Sequence, residues 1–267
     1  MLKDITLGQY FPGSSVIHRL DPRTKLLLTV VYIVALFLCK WFISYGVMLL
    51  FLAAAVALSR IGLKSLFRGL KPLLIIILFT AVINLFFTDG EPLVEFWRIR
   101  ITREGILGAF FLVLRIMLLV MGTFLLTYTT SPIALTDGLE SLLNPLKKLR
   151  FPVHELAMMM SIALRFIPTL IEETDKIISA QKARGADFES GNLFRRAKAL
   201  VPVLVPLFIS AFRRADELAT AMECRCYHGG DGRTKLKVLH FRPCDIVAFL
   251  IGAAILGGVI VLRIFGL

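Results

Sequence analysis

Two arginines in matched settings carry the clearest chemistry in the sequence. Arg184 closes the run Ala180, Gln181, Lys182, Ala183, Arg184 ahead of Gly185. Arg225 closes the run Ala221, Met222, Glu223, Cys224, Arg225 ahead of Cys226, Tyr227, His228 and Gly229. Both read Ala-x-x-x-Arg, and each has an aspartate nine residues upstream, Asp175 and Asp216. Both runs are expected to stop at glycine, the residue that most readily takes the left-handed conformation closing a helix. Each arginine then sits on the last turn of a helix, directed away from its body. A guanidinium so placed binds carboxylates bidentately, stays charged at any working pH and tolerates partial desolvation better than an ammonium. The helix dipole alone favours a C-terminal cation by roughly 0.3 to 1 kcal/mol, which accounts for one such arginine. Two in matched contexts ask for a shared role.

The elements that position them are two amphipathic helices. In the second, Val201, Val205, Phe208, Phe212, Ala215, Ala219 and Met222 recur at steps of four and three, with Ser210, Arg213, Arg214, Glu217 and Thr220 on the opposite side. The first repeats the stripe more loosely through Leu156, Met160, Ala163, Ile167, Leu170 and Ile177. Small residues in both (Ala163, Ser179, Ala180, Ala211, Ala215, Ala219) let the helices cross closely, because side-chain size sets how near two axes come. Pro152, Pro168, Pro202 and Pro206 are expected to bend or break them.

Other candidate chemistry is thinner. Cys224, Cys226 and His228, with His240 and Cys244 nearby, have the residue types of a metal site, but positions two apart on a helix point in different directions. No metal and no cofactor are expected. The four cysteines, Cys39 included, lack the spacing of a disulfide framework and read as free thiols. No Ser, His, Asp or Cys is arranged for nucleophilic catalysis, and the glycine-rich phosphate loop ending in Gly-Lys-Ser/Thr is absent.

Composition sets the class. With 57% hydrophobic residues and a mean hydropathy of +0.78 over 267 residues, the chain is an all-α integral membrane protein. Its net charge of +12 is then first a statement about topology and anionic lipid, and no aromatic-interleaved basic motif supports nucleic-acid binding. No signal peptide is expected, because the N-terminus starts charged and polar.

About five short spans are expected. Residues 1–25 form a cationic N-terminal segment with Lys3, Arg19, Arg23 and Lys25. Residues 26–59 carry only Lys40 as a charge and break at Cys39, Lys40 and Trp41 into two spans. The acid-free loop with Arg60, Lys64, Arg68 and Lys71 faces the cytoplasm by the positive-inside rule, as does the N-terminus. A third span runs from Pro72 to about Thr88. A balanced outer loop follows with Asp89, Glu91, Glu95, Glu104, Arg98, Arg100 and Arg103. The fourth, from Ile106 to about Tyr128, holds Arg115 at mid-depth, an expensive charge of unknown role whose nearest polar candidate is Asn84. Residues 131–242 carry more than half of the 31 Lys and Arg and form a cytosolic region of crossed amphipathic helices between the fourth and fifth spans. The last span is Ile246 to Leu262. The domains are thus 1–25, a four-helix membrane bundle at 26–130, the cytosolic region at 131–242, and a C-terminal transmembrane helix at 243–267.

Several stretches resemble the transmembrane T component of energy-coupling-factor (ECF) transporters, ABC-type importers of vitamins and transition-metal ions. Gly8, Tyr10, Pro12, Gly13 and Ser15, leading into His18, Arg19, Leu20, Asp21, Pro22, Arg23, Thr24 and Lys25, look like that family's opening motif. Thr129, Thr130 and Ser131, then Leu139 through Pro145, resemble its entry to the cytosolic helices, and Ala163, Leu164, Arg165, Phe166, Ile167 and Pro168 are similar as well. The two helix ends match its paired coupling motifs. The resemblance implies that Arg184 with Ala183 and Gly185, and Arg225 with Cys224 and Cys226, insert into grooves on two ABC-type ATPase subunits. It also implies that Leu156, Met160, Ala163, Ile167, Val205, Phe208 and Phe212 face a membrane-embedded substrate-binding S component. The second triplet departs from the family's Ala-Arg-Gly in having cysteine on both sides. ATP hydrolysis would belong to the partner subunits, with the protein in the cell membrane. The other functions weighed are a stand-alone permease, disfavoured by spans with no charge besides Arg115, and a membrane-anchored binder of anionic lipid or nucleic acid.

Overall fold

The computed structural model describes residues 10–88, 92–96, 99–188, 192–230, 232, 234 and 238–266; Lys3, Gly8, Asp89, Glu91 and Arg98, named above, lie outside them. The chain divides into two compact units, one formed by Gly8–Leu139 with Leu239–Leu267, the other by Glu140–Val238.

The first unit begins with α1 (Pro22–Leu38). Proline fills its first position and the Asp21 carboxylate accepts the Arg23 N–H at 2.9 Å, a side-chain cap that fixes where the helix starts. It ends at Cys39, and α2 (Phe42–Ser59) begins beyond an exposed Trp41, so the break falls where Cys39, Lys40 and Trp41 interrupt the apolar run. The basic loop is itself structured: α3 (Leu63–Leu70) buries Leu66 and Leu70 and leaves Lys64 and Arg68 exposed. A single 3-10 turn leads into α4 (Leu74–Phe87). The loop between α4 and α5 holds an antiparallel hairpin, β1 (Pro92–Phe96) with β2 (Ile99–Thr102), in which Glu95 pairs in register with Arg100. This hairpin is the one addition to an otherwise helical protein among the described residues. Thr102 then caps α5 (Arg103–Thr129), its hydroxyl accepting the Gly105 N–H at 3.0 Å.

Helix α5 is the centre of this unit, packing on α1, α2, α3 and α4, while α9 (Pro243–Phe265) packs on α1 and α2. The core joins Tyr32, Leu36, Tyr45, Met48, Leu52, Leu66, Leu118, Tyr128 and Val259. The Tyr32 hydroxyl donates to the Leu118 carbonyl at 2.9 Å, and a Cβ at Gly122 would collide with the Tyr32 ring, so α1 and α5 meet closely because that position has no side chain.

A polar cluster closes the end of the unit where its N-terminal motif lies. Asp245, fully buried, accepts the Asp21 N–H at 2.9 Å and the Arg242 N–H at 2.7 Å, joining the start of α9 to the start of α1. Lys25, just ahead of the apolar run of α1, donates to the Thr129 carbonyl at 3.0 Å and to the Thr130 hydroxyl at 3.2 Å. His18 holds its own loop through Ser15 Oγ at 2.6 Å and the Phe11 carbonyl at 3.0 Å. Burial lowers the Lys25 pKa from 10.5 to about 8 against the opposing pull of Asp245 and Asp21. Between those two values the folded protein holds fewer protons than the unfolded chain, so folding stability gains from this group as pH rises through the window. The expected result is a thermal midpoint in detergent that rises from pH 8 to 10 relative to that of Lys25→Met; parallel curves for the two proteins would contradict it.

Among the described residues, five helical stretches are long and apolar enough to cross a membrane: Phe42–Ser59, Leu63–Phe87, Arg103–Thr129, Val153–Ala183 and Pro243–Phe265. The membership differs from the sequence-based spans. Helix α1 falls outside this set at 17 residues, and a helix assigned to the cytosol enters it with a mean hydropathy of 1.3, against 2.2 to 2.5 for the rest.

Helix α6 (Pro132–Leu143) leads from the first unit into the second. There a short 3-10 stretch precedes α7 (Val153–Ala183), followed by α8 (Leu193–Glu223), each 31 residues and therefore about 46 Å long. Pro168, Pro202 and Pro206 all lie inside these helices without ending them. Pro152 stands at the cap of α7, where its missing N–H costs nothing.

Candidate functional site: the two helix ends

Helices α7 and α8 run antiparallel. Near the end of α7 the Gln181 side chain reaches the Pro202 carbonyl near the start of α8 at 3.5 Å, whereas Glu173, two turns earlier, meets residues further along α8. Glu173 accepts from the Ser210 hydroxyl and from Arg214 Nη2 at 2.7 Å, a polar tie between otherwise apolar partners. The arrangement places Arg184 and Arg225 at opposite ends of the pair. From the Gln181–Pro202 contact to Arg225, α8 runs roughly 30 Å.

The two ends are built alike. At the first, the Ala186 N–H reaches back to the Gln181 carbonyl at 3.0 Å around Gly185, whose φ is +87°. At the second, the Tyr227 N–H reaches back to the Met222 carbonyl at 3.1 Å around Cys226, whose φ is +55°. Each is the paired back-bonding of a Schellman-type cap, and each sets its arginine one residue before the left-handed position. Both guanidinium-bearing residues are exposed, as are Ala183, Gly185, Cys224 and Cys226.

One expectation is corrected here. The second helix closes on Cys226 rather than on a glycine, three residues before Gly229. The hydrogen bonds of the cap outweigh the steric cost of a side chain in the left-handed region, about 1–2 kcal/mol. Cys226→Gly is therefore expected to stabilise this end locally by about 1 kcal/mol, seen as slower hydrogen exchange at the Tyr227 amide; unchanged or faster exchange would mean that the cysteine carries no strain. Cys224 and Cys226 are free and exposed, and among the described residues no three His, Cys, Asp or Glu side chains converge as a metal site.

The apolar stripes of the two helices are open to the surroundings. Val205, Phe208 and Phe212 are exposed along α8, with Val201, Leu204 and Ile209 beside them; on α7, Leu156, Met160 and Ala163 are exposed and Ile167 is half-buried. Exposed apolar stripes of this kind mark a surface for lipid or protein.

Arg115 is separate from all of this, lying in the first unit. Its Nε donates to the Tyr45 hydroxyl at 2.9 Å and its Nη2 to the Cys39 carbonyl at 3.0 Å, and the guanidinium lies 6.0 Å from the Phe37 ring centre. The charge is thus satisfied by a phenol and by the free carbonyl that ends α1, beside the α1–α2 turn. Asn84 instead accepts from Thr88, through both its backbone carbonyl and its side-chain oxygen.

Three groupings escaped the sequence reading: the Glu173–Ser210–Arg214 tie, the buried Asp245–Lys25 cluster, and the contact of Gly230 with His154 described below. Only the second left a signal, an isolated acid two residues after the proline that starts α9, where a carboxylate caps a helix.

A membrane unit centred on one long helix, together with a pair of antiparallel helices ending in matched arginine caps, defines a helical membrane component with two separated polar tips. The pattern of the cobalt transport protein family CbiQ matches residues 13–236, and the chain belongs to that family. It is 58% identical over 249 residues to the energy-coupling factor transporter transmembrane protein EcfT of Thermosediminibacter oceani, covering 93% of this chain and 94% of the relative. Proteins of the same name from Clostridium kluyveri and Bacillus subtilis are 56% and 49% identical, with 94% and 96% of this chain covered and 93% and 98% of theirs.

Proposed function

We propose that this chain is the energy-coupling membrane subunit of an ABC-type importer, standing between two cytosolic ATPase subunits and a membrane-embedded S component. Arg184 and Arg225 each enter a carboxylate-bearing groove on one ATPase. The observation that carries this reading is the repetition of one cap geometry at opposite ends of an antiparallel pair: tips roughly 30 Å apart call for two grooves rather than one. The pair of ATPases is read as a heterodimer. Closure of the ATPases changes the angle between α7 and α8 about Glu173, and the open apolar faces of both helices pass that movement to the S component as a shear of packed surfaces. The substrate is a vitamin or a transition-metal ion, recognised by the S component. The excess of Lys and Arg on the loop at residues 60–71 and on residues 131–242 supports a cytoplasmic position for both, and for the N-terminus, at the cell membrane.

The test is mass spectrometry of whatever copurifies with the chain in mild detergent. Two different ABC ATPases and a small hydrophobic membrane protein are expected. Substrate uptake by vesicles that contain this chain and no ATPase would replace the reading with that of a stand-alone permease.

A further inference from the structure

The two arginine ends are capped alike, and the second leads into a close packing contact. Beyond Arg225 the chain turns through Cys226 and Gly229, whose φ is +98°, and sets Gly230 against the imidazole of His154, where a Cβ would stand 2.7 Å from Cγ and closer still to Cδ2. That neighbour is a rigid ring rather than the tip of a flexible chain, so any side chain at residue 230 must displace the backbone. His154 is the second residue of α7, and its Nδ1 lies 3.1 Å from Glu140 Oε1 on α6. Both side chains are largely enclosed, 29% and 15% exposed, and α6 continues from α5 through Thr130 and Ser131.

We propose that Gly230, His154 and Glu140 are positioning residues that brace the Arg225 tip against the α6–α7 elbow. This rests on the docking role proposed above for both arginines. Load on Arg225 passes through Gly230 to the His154 ring and then to α6, which is covalently joined to the transmembrane α5.

The test measures ATPase capture by the full-length chain in mild detergent, with one tip disabled at a time. Gly230→Val is expected to lower capture about tenfold in the Arg184→Glu background, where only the Arg225 tip remains. In the Arg225→Glu background it is expected to change capture less than about twofold, which also shows that the variant chain is folded. Adding His154→Ala to Gly230→Val makes room for the new side chain and restores at least half of the lost capture. Equal losses in both backgrounds, no loss in either, or no recovery with His154→Ala would overturn the brace. Full capture by the Arg184→Glu/Arg225→Glu chain would overturn the docking reading itself, and the brace with it.

Discussion

Arg184→Glu combined with Arg225→Glu is expected to abolish copurification of the ATPase subunits while leaving the chain inserted in the membrane in normal amount. Each arginine is exposed on a helix cap and, among the described residues, its side chain makes no hydrogen bond or ion pair, so the folding cost of either change is about 0.5 kcal/mol or less. Truncating one partner of a desolvated charge pair costs about 2–5 kcal/mol of affinity, or roughly 30- to several-thousand-fold, and reversing the charge adds repulsion. The two tips are far enough apart for their contributions to multiply, so each single variant retains a weakened complex and the double variant none. Arg→Lys at either site is expected to fall between, because an ammonium keeps the charge and loses the planar fork. Retained copurification by the double variant would count decisively against docking at these positions.

Asp245→Ala carries the largest expected effect on stability. Its carboxylate is fully buried and accepts two backbone N–H groups from different ends of the first unit, Asp21 and Arg242. It also supplies the leading electrostatic support for the buried Lys25. Removing it strands two donors and a cation together, a loss of about 3–5 kcal/mol, enough to deplete folded protein in detergent at room temperature. Asp245→Asn keeps one acceptor and is expected to be milder. Pairing Asp245→Ala with Lys25→Met removes the stranded charge and is expected to recover part of the loss. A thermal midpoint for Asp245→Ala within a degree or two of the parent would show that the cluster contributes little.

The legible part of this protein was what short-range patterning specifies. The apolar runs with their break at Cys39 to Trp41 follow from local preferences and appear where expected. The two arginine ends were legible because the same five-residue word occurs twice. The partner of Arg115 was not, since depth alone pointed to Asn84 and the charge is met by Tyr45, 70 residues away, and by the carbonyl of Cys39 where α1 ends. The closure on Cys226 was hidden because glycine is preferred in the left-handed region without being required, and hydrogen bonds can hold another residue there. Helix α7 shows a further limit: an amphipathic rod built to meet apolar partners has nearly the composition of a span, and hydropathy cannot tell a lipid neighbour from a protein one. The basic stretch that became α3 was read for its charges, while Leu66 and Leu70, four apart and both buried, held the helical signal.

The modest height of α2 has a consequence for the surrounding lipid. The helix spans about 27 Å, whereas undisturbed hydrocarbon is about 30 Å thick. A bilayer that meets its face dimples there, at a cost of fractions of a kcal/mol for each ångström of mismatch. Any neighbour of similarly low stature can share that dimple, so the film's own elasticity draws the two together before a single specific contact has formed.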